Sequence, residues 1–281
     1  MDNFKLYQDV SDIFSRIITK KYSTSFSSAI NFLHKDIRQP ILNIYSFVRL
    51  TDEIVDTFHD FEKELLLDEF QRETYSSINR GISLNPIVNS FQKTVNKFNI
   101  ELDLIDAFFY SMRLDLYKKD YNTDSYNKYI YGSAEVVGLM CLHVFCNGDK
   151  LMFEKLKPGA RKLGSAFQKI NFLRDIKYDY ENLERNYFPQ YNFREFTENQ
   201  KIEIEDEIQK DFDNALESIL LLPSNSRAGV YIAYKYYFKL FRKIKNKTHH
   251  QILNKRIRIP DFVKLFILIK ALLRHHFNLM T

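Results

Sequence analysis

The chain has 281 residues, 45% of them hydrophobic and 27% charged, with a formal net charge of +5. That is the balance of a globular protein, and so mild a charge gives no reason to expect a nucleic-acid partner. Seven Gly and six Pro leave few turns, which excludes a hairpin-rich sheet protein. The N-terminal run MDNFKLYQDVSD lacks a basic region followed by an apolar one, so no secretory signal is expected. Cys141 and Cys146 read as buried thiols of a reducing compartment, which points to a cytoplasmic protein. The 25 Phe and 18 Tyr, with no Trp, fit either a Phe-filled core or a cavity lined with rings.

Apolar residues recur at i, i+3, i+4 and almost never alternate, which predicts about ten helices and no strand. Punctuation falls at Arg38-Gln39-Pro40, from Arg80-Gly81 to Pro86, from Asn122 to Asp124, at Lys157-Pro158-Gly159, at Phe188-Pro189 and at Pro223-Ser224-Asn225. Pro40, Pro86, Pro158 and Pro260 each read as first-turn prolines. No stretch is long or Gly/Ser-rich enough to divide the chain, so residues 1–281 are expected to form a single all-α domain.

Two aspartate pairs carry the chemistry. Asp52 and Asp56 sit in FVRLTDEIVDTF, Asp175 and Asp179 in FQKINFLRDIKYDY. A spacing of four sets both carboxylates on one helix face, where they repel unless solvent or a cation intervenes. Two such faces turned together would form a hard oxygen cluster suited to Mg²⁺. The spacing alone is weak, since it recurs at Asp56/Asp60 and at Asp120/Asp124, where capping is the expected role.

The surroundings add weight. On a helix from Arg161 to Tyr180, residues Arg161, Gln168, Asn171, Asp175 and Asp179 fall within an arc of about 80°. Lys162, Lys169 and Lys177 lie opposite and are expected in water. The polar stripe then faces a cavity, or else is simply a solvated face. Tyr45, Arg49, Asp52 and Asp56 share a second face. There Arg49 could hold a diphosphate oxygen or form an ordinary ion pair with Asp52.

These residues resemble the squalene/phytoene synthase family of head-to-head prenyl synthases. The resemblance rests on YSTSFSSAI, IYSFVRLTDEIVD, MRLDL, YIYGSAEVVG and LGSAFQKINFLRDIKYDYENLERNYFP, in family order over residues 22–245. The overall pattern looks closest to the bacterial phytoene synthases. The resemblance implies an isoprenoid-synthase helical bundle around a deep central cavity and a two-step reaction with three Mg²⁺. By motif, Asp52, Asp56, Asp175 and Asp179 would bind metal, with Asn171 beside the second pair. Ser23, Ser25, Phe26, Tyr45, Arg49, Gln168 and Arg174 would contact diphosphate or reacting carbons. Tyr129 would stand near the leaving diphosphate, Arg185 matches the arginine after the second motif, and Tyr237 would line the pocket. Glu135 departs from the family by replacing a small residue where helices usually pack closely.

The expected reaction is two C20 geranylgeranyl diphosphates to phytoene, without reductant. Ser133 and Val137 would give room for the tails. The rivals are two C15 farnesyl diphosphates giving dehydrosqualene, or squalene with NADPH; a chain-elongating or cyclising prenyl enzyme, whose Asp-Asp-x-x-Asp is missing; and a non-catalytic partner protein of the same fold. The longest apolar stretch, Leu265 to Leu273 with Lys270 inside it, is short of the ~18–20 residues that span a bilayer. With the basic residues before it, the segment from Arg256 to Phe277 reads either as peripheral contact with a membrane surface or as an ordinary packed last helix. Oligomeric state is not legible.

Overall fold

The computed structural model describes residues 2–117, 121–189, 196–254, 256–276 and 279. Among them are thirteen α-helices and one π-helical turn, with no β-strand. The order is α1 (Asn3–Tyr22), α2 (Thr24–Ile30), α3 (Lys35–Asp56), α4 (Lys63–Arg80), α5 (Pro86–Phe98), α6 (Leu102–Tyr117) and α7 (Thr123–Ile130). The π turn (Tyr131–Glu135) leads into α8 (Val136–Cys146), then α9 (Lys150–Asn182), α10 (Glu198–Leu221), α11 (Ser224–Lys245), α12 (His249–Asn254) and α13 (Asp261–His276). The all-α expectation holds.

Several ends form where the sequence says they should. Asn85 caps α5 with Pro86 in its first turn, Asn122 caps α7, and Gly81 closes α4 at φ 79°. Asp124 pairs with Lys128, and Asp120 lies outside the described residues. Two prolines do not break the chain as expected. Pro40 lies inside α3 and Pro158 inside α9, so the helix expected from Arg161 to Tyr180 is part of one that runs 33 residues. A proline costs one backbone hydrogen bond. Packing of α9 between α8 and α10 along its length outweighs that loss.

The same packing overturns the expectation for Lys169. Its side chain is buried, with Nζ 2.9 Å from Asp211 and 3.0 Å from Glu207, both on α10. α10 covers the middle of the face opposite the aspartates, while Lys162 and Lys177 on either side of it stay half exposed, as expected. Lys162 reaches the same Asp211 from the rim, at 2.9 Å.

Both readings of the aromatic content hold. On α3, Phe47 stacks on Phe91 at 3.7 Å and meets Phe70, Phe108 and Phe109 within 5.9 Å, forming a core among α3, α4, α5 and α6. A second group of rings lines a cavity. The continuous helix Thr123–Cys146 is long and apolar enough to cross a membrane, yet it packs against α3, α6 and α9 as a core helix.

α1 is reversed. Its Ser11, Asp12, Ser15 and Thr19 are buried, while Leu6, Ile13, Phe14 and Ile17 are about half exposed. The buried side makes polar contacts, with Asn89 donating to Ser11, and Asn43 and Lys93 both reaching Asp12.

Close approach of the π turn and α8 to α9 sets the cavity wall. A Cβ on Gly164 would meet the Ala134 carbonyl oxygen at 2.6 Å, and one on Gly138 the Ala160 carbonyl oxygen at 2.9 Å. These neighbours are backbone and cannot swing away. Glu135 is accommodated beside this crossing because its carboxylate turns out to Arg161, 2.6 Å away. Gly164→Ala should therefore destabilise the fold by about 1–3 kcal/mol through overpacking, read as a lowered urea midpoint with unchanged slope.

Candidate active site

The cavity lies among α2, α3, α8, α9, α10 and α11 and has a volume of about 300 Å³. Ser133, Val137, Cys141 and Phe145 line it in steps of four, which carries one helix face along it for about 18 Å. Leu163, Phe167 and Asn171 line it from α9. Apolar side chains make most of the wall, and Ser23, Tyr45 and Asn171 mark a polar end.

Local structure places the first group. Ser23 caps α2 by accepting from the Phe26 amide at 3.1 Å, which fixes the turn that brings Ser23 and Phe26 to the cavity. Ser25 is not among the described lining residues. Tyr45, from α3, stacks on Phe26 at 4.8 Å, and burial pushes its hydroxyl up to about 12. Tyr237 stacks on Phe167 at 3.8 Å and lines the wall. Ser133 and Val137 also line it. Gln168 is held beside the wall by Asn171, 3.4 Å away.

One turn further along α3 and α9 the carboxylates begin. Arg49 pairs with both Asp52 and Glu53, so Glu53 is a buried partner and does not face solvent. The Arg49 guanidinium also lies 4.5 Å over the Tyr22 ring. Arg174 pairs with Asp175 at 2.6 Å, and Arg256 reaches the same carboxylate at 2.7 Å. Arg185 is buried and bridges Asp56 at 2.6 Å to Asp115, whose backbone carbonyl it meets at 2.9 Å.

Asp115 is the centre of a network the sequence reading missed. It accepts from Tyr129 at 2.7 Å and from Tyr187 at 3.2 Å. Tyr121 lies 3.4 Å away, and the three rings pack on one another. The signal was present: Asp115 extends the buried stripe Ile105, Phe108, Met112 of α6, and a lone carboxylate there needs partners. The reach of Arg256 to Asp175 spans 81 residues and leaves no local signal.

The two pairs act on each other. Burial raises the Asp179 carboxyl to about 8, helped by Asp175 and Asp56. Burial, then the Asp56 charge, raises Asp52 against the pull of Arg49. Burial and Asp56 raise Asp115, while Arg185 lowers it. Tyr129 is raised well above its ordinary value by burial and then Asp115, so its proton is secure.

The four sequence-predicted aspartates thus share one region. Among the described residues, no three carboxylate, His or Cys side chains converge as a finished metal site, and guanidinium groups hold the carboxylate oxygens. The donor set still fits a hard divalent cation. Oxygen ligands come from two helices, two of the carboxylates are raised by burial and by the neighbouring acids, and the Asn171 Oδ1 atom beside them is buried without a partner.

Comparison with known proteins agrees with this geometry. Residues 19–262 match the family model for squalene/phytoene synthase. A phytoene synthase of Arthrospira platensis is 28% identical over 286 residues, covering 92% of this chain and 91% of that protein. A 4,4'-diapophytoene synthase of Staphylococcus haemolyticus is 28% identical over 202 residues, covering 69% of this chain and 66% of that protein. A dehydrosqualene synthase crystal structure superposes with a TM-score of 0.79 at 20% identity, covering 96% of this chain and 98% of that one. The squalene synthase of Alicyclobacillus acidocaldarius gives 0.75 at 20% identity, covering 89% and 97%. With carboxylate pairs set at the polar end of an apolar cavity, this chain belongs to the squalene/phytoene synthase family and is a prenyltransferase of its all-α fold.

Proposed function

We propose that the chain, acting as one isoprenoid synthase domain, joins two prenyl diphosphates head to head through a cyclopropyl intermediate with release of diphosphate. The substrate in this reading is the C20 geranylgeranyl diphosphate and the product phytoene, formed without NADPH. One observation carries it: two carboxylate pairs that act on each other's charge begin one or two turns beyond Tyr45 and Asn171, which line an apolar cavity. The likeness to a phytoene synthase over 92% of this chain, against 69% for the diapophytoene synthase at the same identity, supports the longer substrate.

Mg²⁺, for which Asp52, Asp56, Asn171, Asp175 and Asp179 are the proposed ligands, would neutralise the charge of the leaving diphosphate. Arg49 and Arg174, paired with Asp52 and Asp175, would offer forked donors to its oxygens. Arg185 holds Asp56 in position from below. Tyr129, protonated and anchored on Asp115, stands one helix turn before the cavity wall at Ser133. The apolar wall keeps water from a carbocation, and the faces of Phe26, Tyr45, Phe167 and Tyr237 favour positive charge.

Three outcomes test the reading. Asp52→Asn and Asp175→Asn should each abolish turnover while circular dichroism shows the helix content kept. Near wild-type activity at limiting Mg²⁺ would remove the metal assignment.

Stability should follow pH in a defined direction. The Asp179 carboxyl is raised in the folded chain, so the fold binds its proton more tightly than the unfolded chain does. The metal-free protein should therefore lose stability as pH rises toward about 8. Mg²⁺ should restore more of the melting temperature above that pH than well below it. An equal Mg²⁺ shift at both pH values would count against these carboxylates as ligands.

Chain length should answer to volume in the wall. A buried CH₂ contributes about 0.8 kcal/mol only where there is room for it. Ser133→Phe or Val137→Phe should shift preference toward the C15 diphosphate when both compete, with hydrocarbons separated by chromatography. Wild-type protein that forms only C30 hydrocarbon, or any hydrocarbon only with NADPH, would replace the phytoene reading by a squalene-type one.

A further inference from the structure

The last helix is apolar on both sides. Ala271 is buried, and Ile267, Leu268 and Leu272 pack against the core, with α13 lying on α11. The opposite side carries Phe262, Leu265, Phe266, Ile269 and Leu273, which are 76, 58, 71, 49 and 54% exposed. At helical pitch these five share an arc of about 100°. Five large side chains left open along one helix exceed the scattered exposure usual on a soluble surface.

The charge around this face has one sign. Between Arg256 and His276 the chain carries Arg256, Arg258, Lys264, Lys270 and Arg274 against the single acid Asp261. The basic end of α11 is joined to the same segment, with Lys243 donating to the Arg258 carbonyl at 2.6 Å. A second copy of α13 would meet this face with the same positive charge, five cations less one acid giving a formal +4 on each side. An anionic lipid surface offers the opposite charge together with an apolar layer beneath it.

We propose that α13 docks lengthwise on an anionic bilayer, with Phe262, Phe266, Ile269 and Leu273 in the acyl boundary and the flanking cations among the headgroups. The segment is too short to span, so the contact is peripheral. Its place in the fold gives the contact a purpose. Lys264 donates to Thr24 at 3.0 Å, beside the Ser23 and Phe26 that line the cavity. Arg256, just before the helix, is fixed on Asp175. Docking therefore sets lipid next to the polar end of the cavity. If the proposed function holds, an amphiphilic diphosphate then arrives from the membrane and a hydrocarbon product returns to it. The docking itself does not rest on that reading.

α1 supplies the internal control. It too exposes apolar residues, but Asp2 and Asp9 stand among them and dilute its positive charge.

The test is flotation of the full chain with phosphatidylcholine vesicles, with or without phosphatidylglycerol. Binding is read without turnover, so an inactive protein that floats upholds docking even as the catalytic reading fails. The expected result is at least tenfold stronger binding to the anionic vesicles at low salt, weakened by added salt. Phe262→Ser with Phe266→Ser should lose it at unchanged melting temperature, while Ile13→Ser with Ile17→Ser should keep it. No flotation with anionic vesicles, or unchanged flotation of the Phe262/Phe266 variant, overturns the proposal. So does a dimer in light scattering that the Phe262/Phe266 variant abolishes, which would assign the face to a second copy.

Discussion

Two helices end on carboxylates with no basic residue in the last turn to balance them. Asp56 is the last residue of α3, and Asp179 lies in the last turn of α9. A helix C-terminus already carries partial negative charge, so Asp56 and Asp179 sit where an anion is least welcome. Four arginines answer that constraint. Arg49 comes from within α3, Arg174 from within α9, Arg256 from beyond α12 and Arg185 from the chain after α9. Arg185 matters most because it is buried and joins α3 to α6 through Asp56 and Asp115. Removing one member of such a group would strand the others, a loss of about 3–5 kcal/mol.

The same two helices explain why the polar end adjoins a dry cavity. α3 buries Ile37, Ile41, Ile44 and Phe47 before it reaches Arg49 and Asp52. α9 runs from Leu156 through Leu163 and Phe167 to Asn171 and Asp175. Each passes from apolar to acidic in chain order, and the charges of Asp56 and Asp179 act on each other. The acidic ends therefore lie together and the apolar lengths line the space behind them. α8 closes that space, and it can do so only because Gly138 and Gly164 admit backbone contact.

What was legible in the sequence was what repeats at helical spacing. The aspartate pairs, the polar stripe through Asn171 and the shared face of Tyr45 and Arg49 all depend on residues three or four apart. What was not legible depended on neighbours distant in sequence. Lys169 looks like a solvent marker until α10 brings Asp211 beside it. Pro158 looks like a break until helices pack on both sides of α9. α1 looks ordinarily amphipathic, and only the polar groups of α3 and α5 decide that its polar side turns inward. Asp115 stood in a segment of the family resemblance, but its role needed Arg185, 70 residues later.

On the proposed function, the arginines of the site hold two roles that exclude each other. A guanidinium bound to a carboxylate has its fork occupied, and a carboxylate so bound offers fewer oxygens to a metal. Arg49 is engaged by Asp52 and Glu53, and Arg174 by Asp175. Each of these pairings satisfies charge in the absence of substrate, which lets buried acids exist in a stable fold. A divalent cation competes for the same carboxylate oxygens, and a diphosphate competes for the same guanidinium donors. Mg²⁺ bound at the carboxylates would take over the countercharge that Arg49 and Arg174 now supply, leaving both guanidinium groups to hold the diphosphate. Glu53 then has a distinct part: it is not a proposed ligand, and it can keep hold of one side of Arg49 while Asp52 lets go. Arg185 differs from the other arginines because Asp115 and its tyrosines hold it from behind. Held there, it keeps Asp56 in place through one carboxylate oxygen and would leave the other to a cation.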